Sequence, residues 1–309
     1  MTALPYLDRD TVLGLLPWRE AVRGLEADLL AGLDPAGALQ RSVHDVGHGQ
    51  LLLMPAETAT AVGVKVTTVA PENPGRGLDR IQALYVLHDP VSLTPVALLD
   101  GTALTTLRTP AVSAVAVDHL APADASRLVV FGSGPQAWGH VEALRSVRPL
   151  RTVTVVGRDP SRAETLAGRL CDGGLEATVG DAASVAEADV VACATTARTP
   201  LFDPGLLRED ACVVAVGSHE PDARELDEQV FARAARVVVE SREVALREAG
   251  DVVLAVRAGA VEPDDLQPLD RVVRLSPAPG LSVFKSVGMG WEDLVVAEAV
   301  HRAWRERSR

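Results

Sequence analysis

Hydrophobic positions along this chain change period part-way, and the change divides it. Trp18, Ala21, Val22, Leu25 and Leu29 lie on one helical face within residues 18–33, after a short helical stretch beginning near Asp8. Residues 51–54, 62–69, 81–87 and 96–99 read as strands, with Pro55, Pro71, Asn73, Pro74 and Gly75 as breakers. Four strands with no long helix between them predict an α+β domain. Residues 105–120 then read as a helix with Pro110 in its first turn, where the missing N–H costs nothing.

After Ala121-Pro122-Ala123 strands and helices alternate. Strands are expected at 128–131, 152–156, 190–194, 213–216 and 237–239, with helices from about 136 and 161. Short, β-branched, wholly apolar strands of this kind fit a doubly wound parallel sheet covered on both faces. Residues 257–280, rich in Pro and Asp, read as a long surface connection. Val296, Ala299, Val300 and Ala303 mark a last helix over 291–304. The fold class expected is therefore α/β: a Rossmann-type sheet plus a smaller α+β domain.

Composition removes several function classes. With 309 residues, 47% of them hydrophobic, the chain can bury a large core. A net charge of −12 argues against a nucleic-acid binder, which needs a basic face. The opening MTALPYLDRD lacks a basic segment followed by an apolar one, and no uncharged run is long enough for a membrane span, so a cytoplasmic protein is expected. Cys171, Cys193 and Cys212 have no metal-binding or disulfide spacing, and the seven His form no helical pair; no metal is expected.

The chemistry begins at Gly132-Ser133-Gly134-Pro135-Gln136-Ala137, a G-x-G-x-x-A loop that follows a strand and opens a helix. Its first Gly allows a tight turn, its second lets backbone approach a pyrophosphate, and its small last residue lets helix and strand pack closely. N–H groups at the helix start then face the phosphates. The next strand ends in Gly157-Arg158-Asp159, where a dinucleotide enzyme selects its cofactor. Arg158, with Ser161 and Arg162 close by, favours the 2′-phosphate of NADP(H), while Asp159 keeps NAD(H) open.

Three cations sit in apolar surroundings: Arg41 before a strand, Lys65 between two Val, and Arg108 at a helix start. From the residues alone, Lys65 points either to a wet sheet face or into a cleft. His219, just past the carboxyl end of a parallel strand, is placed to donate a proton or to bond its own loop backbone.

Gly63-Val64-Lys65-Val66, Leu99-Asp100-Gly101 with Leu107-Arg108-Thr109, the glycine loop, Thr195-Thr196, Arg224-Glu225-Leu226-Asp227, and Phe284-Lys285-Ser286-Val287-Gly288 with Glu292-Asp293 resemble the ornithine cyclodeaminase and mu-crystallin family, in order along nearly the whole chain. The resemblance implies a substrate-binding and dimerisation domain of residues 1–120 and 285–309, and an NAD(P)-binding Rossmann domain of 121–284. It implies a homodimer and a small imino or amino acid bound in the cleft facing the nicotinamide. It also implies that Arg41, Lys65 and Arg108 hold the substrate α-carboxylate, and that Thr195, Thr196 and Gly217 join the cofactor site. In the same comparison Asp293 reads as a helix-start or packing residue, and Arg224 to Asp227 read as structural.

Leu52 and His219 stand where ornithine cyclodeaminases carry acidic groups that handle the distal amine. A second ammonium would then lack its counter-ion in a partly desolvated cleft, at a cost of several kcal/mol. The expected activity is therefore NAD(P)H-dependent reduction of a small α-imino acid, or the reverse oxidation of an amino acid. Lys65 and His219 are the candidate catalytic residues, with Ser218 or water as the alternative proton donor. Two rivals remain: a cyclodeaminase using NAD+ catalytically, and a non-catalytic NADP-dependent small-ligand binder of the crystallin type.

Overall fold

The structure, a computed structural model, describes residues 4–275 and 278–307. It divides into two compact units, Met1–Arg108 with Met289–Arg309, and Thr109–Gly288.

The first unit holds a six-stranded sheet in the order β1-β6-β5-β4-β3-β2. Its strands are β1 (Tyr6–Leu7), β2 (Ser42–Val46), β3 (Gly49–Glu57), β4 (Val62–Val69), β5 (Ile81–His88) and β6 (Pro95–Asp100). β2 to β6 pair antiparallel and β1 joins β6 in parallel. Sequence periodicity predicted four of these strands. The other two carry little pattern: β1 has two residues, and β2 is a largely exposed, polar edge.

Alternation fixes which side chains go inward. In β4, Gly63, Lys65, Thr67 and Val69 are buried; the Val residues between them face the other way and are half-buried. Two helices at the amino end support this sheet. α1 (Arg9–Leu15) starts where Asp8 accepts the Thr11 N–H at 2.9 Å, and α2 (Trp18–Ala31) buries Ala21, Val22, Leu25 and Leu29. α3 (Gly101–Leu120) follows β6, and α10 (Gly290–Arg307) packs on β3, β4 and β5 and against α1 and α2. α3 begins four residues before the expected start, because Asp100 accepts the Ala103 N–H at 2.8 Å and caps Gly101 and Thr102 into the helix. Pro110 therefore lies in the helix interior rather than in its first turn.

The second unit is an eight-stranded, wholly parallel sheet in the order β13-β12-β14-β11-β10-β7-β8-β9. Its strands are β7 (Arg127–Phe131), β8 (Thr152–Val156), β9 (Glu176–Val179), β10 (Val190–Cys193), β11 (Cys212–Ala215), β12 (Arg236–Val239), β13 (Leu266–Pro268) and β14 (Ser282–Lys285). Six helices accompany them: α4 (Pro135–Arg145), α5 (Pro160–Asp172), α6 (Glu228–Arg233), α7 (Arg242–Glu248), α8 (Gly250–Arg257) and α9 (Leu269–Val272). Every residue of β10, β11 and β14 is buried, as a sheet covered on both faces requires. The chain runs outward from β7 through β8 and β9, then returns to place β10 on the other side of β7, which makes the β7–β10 border the switch point.

The surface connection expected over 257–280 is a structured segment instead. It contains β13 and α9, and Leu266, Leu269 and Val272 are buried; residues 276–277 lie outside the described residues. Pro268 there marks the start of α9 rather than keeping the chain on the surface.

Candidate active site

In the first unit the inward face of the sheet carries an ionic group in an apolar setting. Lys65, in the middle of β4, is almost fully buried, with its Nζ 2.8 Å and 2.7 Å from the two carboxylate oxygens of Asp293 and 3.1 Å from Thr105 Oγ1. Arg108 donates through Nη1 to Glu292 Oε2 at 2.7 Å and through Nε to Asp293 Oδ1 at 3.3 Å. Glu292 and Asp293 occupy the first turn of α10, where the helix end favours anions, and Glu292 Oε1 also accepts the Met289 N–H at 3.2 Å. Two cations thus meet two carboxylates, and burial without such pairing would be prohibitive.

Burial pushes the Lys65 ammonium down to about 8, against the pull of Asp293, which raises it. Lys65 therefore changes charge within reach of neutral pH. Asp293 is both a helix-start residue and the partner of both cations, which no local pattern in the sequence reveals.

The remaining inward residues shape the walls. Leu52 and Met54 of β3 pair with Thr67 and Lys65 of β4, and Tyr85 of β5 pairs with Lys65 from the other side. Thr67 Oγ1 and the Tyr85 hydroxyl are buried with no hydrogen-bond partner among the described residues. Leu52 is thus on the same face as Lys65, where an acidic residue would have faced the same space. Arg41 is half-buried immediately before β2, whose Ser42 pairs with Leu53.

In the second unit the glycine loop has the shape a dinucleotide needs. Gly132 adopts φ +116°, and a Cβ there would lie 2.6 Å from the Ala194 carbonyl at the end of β10. A Cβ on Gly134 would meet nothing within 4 Å, so space lies open above the start of α4, while Ala137 is buried beneath it. Ser133 and Gln136 are half-buried and Pro135 is exposed at the first position of the helix. These residues fit a pyrophosphate at the amino end of α4.

Arg158, Ser161 and Arg162 are exposed beyond β8. Asp159 is spent as the N-cap of α5, accepting the Arg162 N–H at 3.3 Å. Residues 158–162 are all exposed, so two cations and a hydroxyl face outward beside the capping carboxylate of Asp159.

Beyond β10 and β11 lie Thr195, Thr196, Gly217, Ser218 and His219, and a buried polar network holds Thr195, Gly217 and Ser218 among them. Glu225 accepts the Thr195 N–H at 2.8 Å and its hydroxyl at 2.7 Å on one oxygen, and the Gly217 N–H at 2.7 Å on the other. Asp251 accepts the Glu225 and Leu226 N–H groups at 2.7 Å and 2.8 Å. Lys285 lies 2.8 Å from Asp251 and donates to the Ser218 carbonyl at 2.7 Å. The Ser218 hydroxyl is buried and donates to the Ala223 carbonyl, so its proton is committed. His219 is half-buried, Thr196 exposed.

Cys193 and Cys212 are buried and Cys171 exposed, all three as free thiols; burial raises the Cys212 thiol to about 12. Among the described residues no group of three His, Cys, Asp or Glu is arranged to hold a metal ion, and no helix is long and apolar enough to cross a membrane.

Residues 35–308 match the family model of the ornithine cyclodeaminase/mu-crystallin family. The chain belongs to that family. A Delta(1)-pyrroline-2-carboxylate reductase of Bacillus cereus (strain ZK / E33L) is 38% identical over 267 residues, which cover 83% of this chain and 82% of the relative. Among solved structures, Thermococcus litoralis Delta(1)-pyrroline-2-carboxylate reductase in complex with NADH and L-proline superposes with a TM-score of 0.92 at 30% identity, covering 99% and 98% of the two chains. An archaeal alanine dehydrogenase dimer with bound NAD superposes with a TM-score of 0.92 at 27% identity, covering 99% and 97%.

Proposed function

We propose that this family member is an NAD(P)H-dependent reductase of small α-imino acids with an uncharged side chain. The observation that carries the reading is the presence of both a glycine loop built for a dinucleotide and a buried Lys65–Arg108 cation set on a largely apolar sheet face. The bound cofactor supplies the hydride that reaches the imine carbon. Arg108 and Arg41 hold the substrate carboxylate, the planar guanidinium fixing its plane and so the orientation of the α-carbon. Lys65 adds positive charge beside that carboxylate, its Nζ being held by Thr105 Oγ1 and the two Asp293 oxygens.

Leu52 in place of an anion leaves no counter-charge for a distal ammonium, which favours reduction of an apolar imino acid over ornithine cyclisation. His219, half-buried past the end of β11, is the proton donor to the imine nitrogen; the Ser218 proton is bound elsewhere, which leaves water as the alternative donor. Arg158, with Ser161 and Arg162, favours NADPH over NADH, because Asp159 already caps α5.

The outer face of the first unit's sheet supports a homodimer. Leu51, Leu53, Val64, Val66, Val86 and Leu98 are only half-buried, and Leu84 and Tyr6 are exposed, a contiguous apolar face of the kind that a partner covers. A second copy of the same sheet covers it.

Parallel assays with a cyclic α-imino acid and with the same cyclic imine lacking its carboxylate test the reading. The carboxylate-bearing imine is expected to be reduced at least about a hundredfold more efficiently. Equal rates with both would remove the clamp from the mechanism.

A further inference from the structure

Glu225, Asp251 and Lys285 are all buried, within a fold whose other interior strands are apolar. Such a group is costly and calls for an explanation beyond packing. Three features locate its purpose. Glu225 reaches across the carboxyl ends of two neighbouring strands, holding the turn after β10 at Thr195 and the loop after β11 at Gly217. Gly217 has no room for a side chain, since a Cβ would lie 2.0 Å from the Thr195 carbonyl and 2.5 Å from Glu225 Oε1. Finally, one cation serves two carboxylates: Lys285 lies 2.8 Å from Asp251 and also pulls the Glu225 carboxyl down against the burial that raises it, so with both carboxylates ionised the group carries one net negative charge, held at Glu225 by N–H and O–H donors.

We infer that Glu225 is a positioning residue that also tilts this unit toward the oxidised form of its nicotinamide cofactor. The inference rests on the reading of this unit as dinucleotide-binding. Open parallel sheets hold their ligands outside the carboxyl ends of strands at the switch point, here the ends of β7 and β10, and β11 is the next strand beyond β10. The reduced nicotinamide ring is neutral and the oxidised ring carries one positive charge. A buried anion behind the Thr195 and Gly217 turns therefore favours the oxidised ring, and favours the charge that grows on the ring as its hydride leaves. Acting through the backbone, Glu225 need not touch the ring at all.

Charge predicts opposite signs for two variants, which damage to the fold does not. Glu225→Gln removes the anion at constant size. Lys285→Met removes the cation and leaves two carboxylates. The measurement is equilibrium binding of NADPH by its own fluorescence, of NADP+ by competition, and of the NADH and NAD+ pair in parallel, on the full-length protein. Relative to the unaltered chain, E225Q is expected to weaken the oxidised form against the reduced form by about tenfold, and K285M to shift the ratio the other way. A ratio unchanged within about twofold in E225Q, or moved in the same direction by both variants, overturns the inference. Should E225Q fail to fold, K285M decides alone: a ratio that does not rise overturns it. Failure of the unaltered chain to bind any of the four dinucleotides would instead overturn the underlying reading.

Discussion

Asp293 Oδ2 lies 2.7 Å from the Nζ of Lys65, an ion pair between α10 and β4 in which neither side chain has more than a trace of solvent contact. The pair joins residues 228 positions apart and makes the last helix part of the clamp. Replacing Lys65 by Ala removes one arm of that clamp and leaves Asp293 with Arg108 alone. We expect kcat/KM for a small imino acid to fall by about a hundredfold or more, with dinucleotide binding unchanged, as steady-state kinetics and cofactor titration would show. Activity retained within a few-fold would contradict the assignment of Lys65.

The protonation of Lys65 gives a pH dependence whose sign is fixed. Its ammonium is held near 8, burial lowering it and the Asp293 charge raising it. If the charged form binds the carboxylate, kcat/KM declines as pH rises through about 8. Asp293→Asn withdraws the raising influence, so the decline moves to lower pH. A pH–kcat/KM profile of D293N that coincides with that of the unaltered chain would refute the coupling.

Much of the fold was legible because its signals are local. β4 and β8 coincide with the expected ranges of 62–69 and 152–156, since their runs are β-branched and bounded by breakers. The glycine loop was legible because its spacing is local, with Gly132 at φ +116° where a Cβ would lie 2.6 Å from the Ala194 carbonyl and Gly134 leaving open space above the start of α4. The Lys65–Asp293 pair and the Glu225–Asp251–Lys285 network were not, because each depends on side chains brought together from distant segments. Lys285 stood inside a quoted motif, yet nothing in Phe-Lys-Ser-Val shows that its ammonium turns inward to the Ser218 carbonyl. The sequence also misplaced Pro110 and the segment 257–280, where an Asp100 cap and the buried Val261, Leu266, Leu269, Val272 and Val273 outweigh local composition.

His140 should make stability acid-sensitive. Its ring is wholly buried on α4, within 2.7 Å of the Gln136 carbonyl and 3.0 Å of Ser113 Oγ, and burial lowers it to about 4 from an ordinary 6.5. The unfolded chain then binds the proton first, so the stability held above pH 6.5 drains away as pH falls towards 4. The loss amounts to roughly 3 kcal/mol across that window by linkage. Denaturant unfolding between pH 7 and 4 should show a shallower decline for His140→Gln than for the unaltered chain; parallel curves would exclude His140 as the cause.

Cofactor choice is open to a single substitution. Arg158→Gln removes the cation nearest the end of β8 while Asp159 continues to cap α5. The ratio of NADPH to NADH efficiency should fall by about tenfold or more, since a charged hydrogen bond to the 2′-phosphate is lost. An unaltered ratio would transfer the selector role away from Arg158.

The most direct test of the account is consumption of the reduced nicotinamide absorbance when a cyclic α-imino acid such as pyrroline-2-carboxylate is added to the protein with NADPH or NADH. The account predicts rapid, stoichiometric oxidation of the cofactor with formation of the saturated cyclic amino acid, and no ammonia from ornithine in the presence of NAD+. No oxidation of either cofactor, together with ammonia released from ornithine, would contradict it.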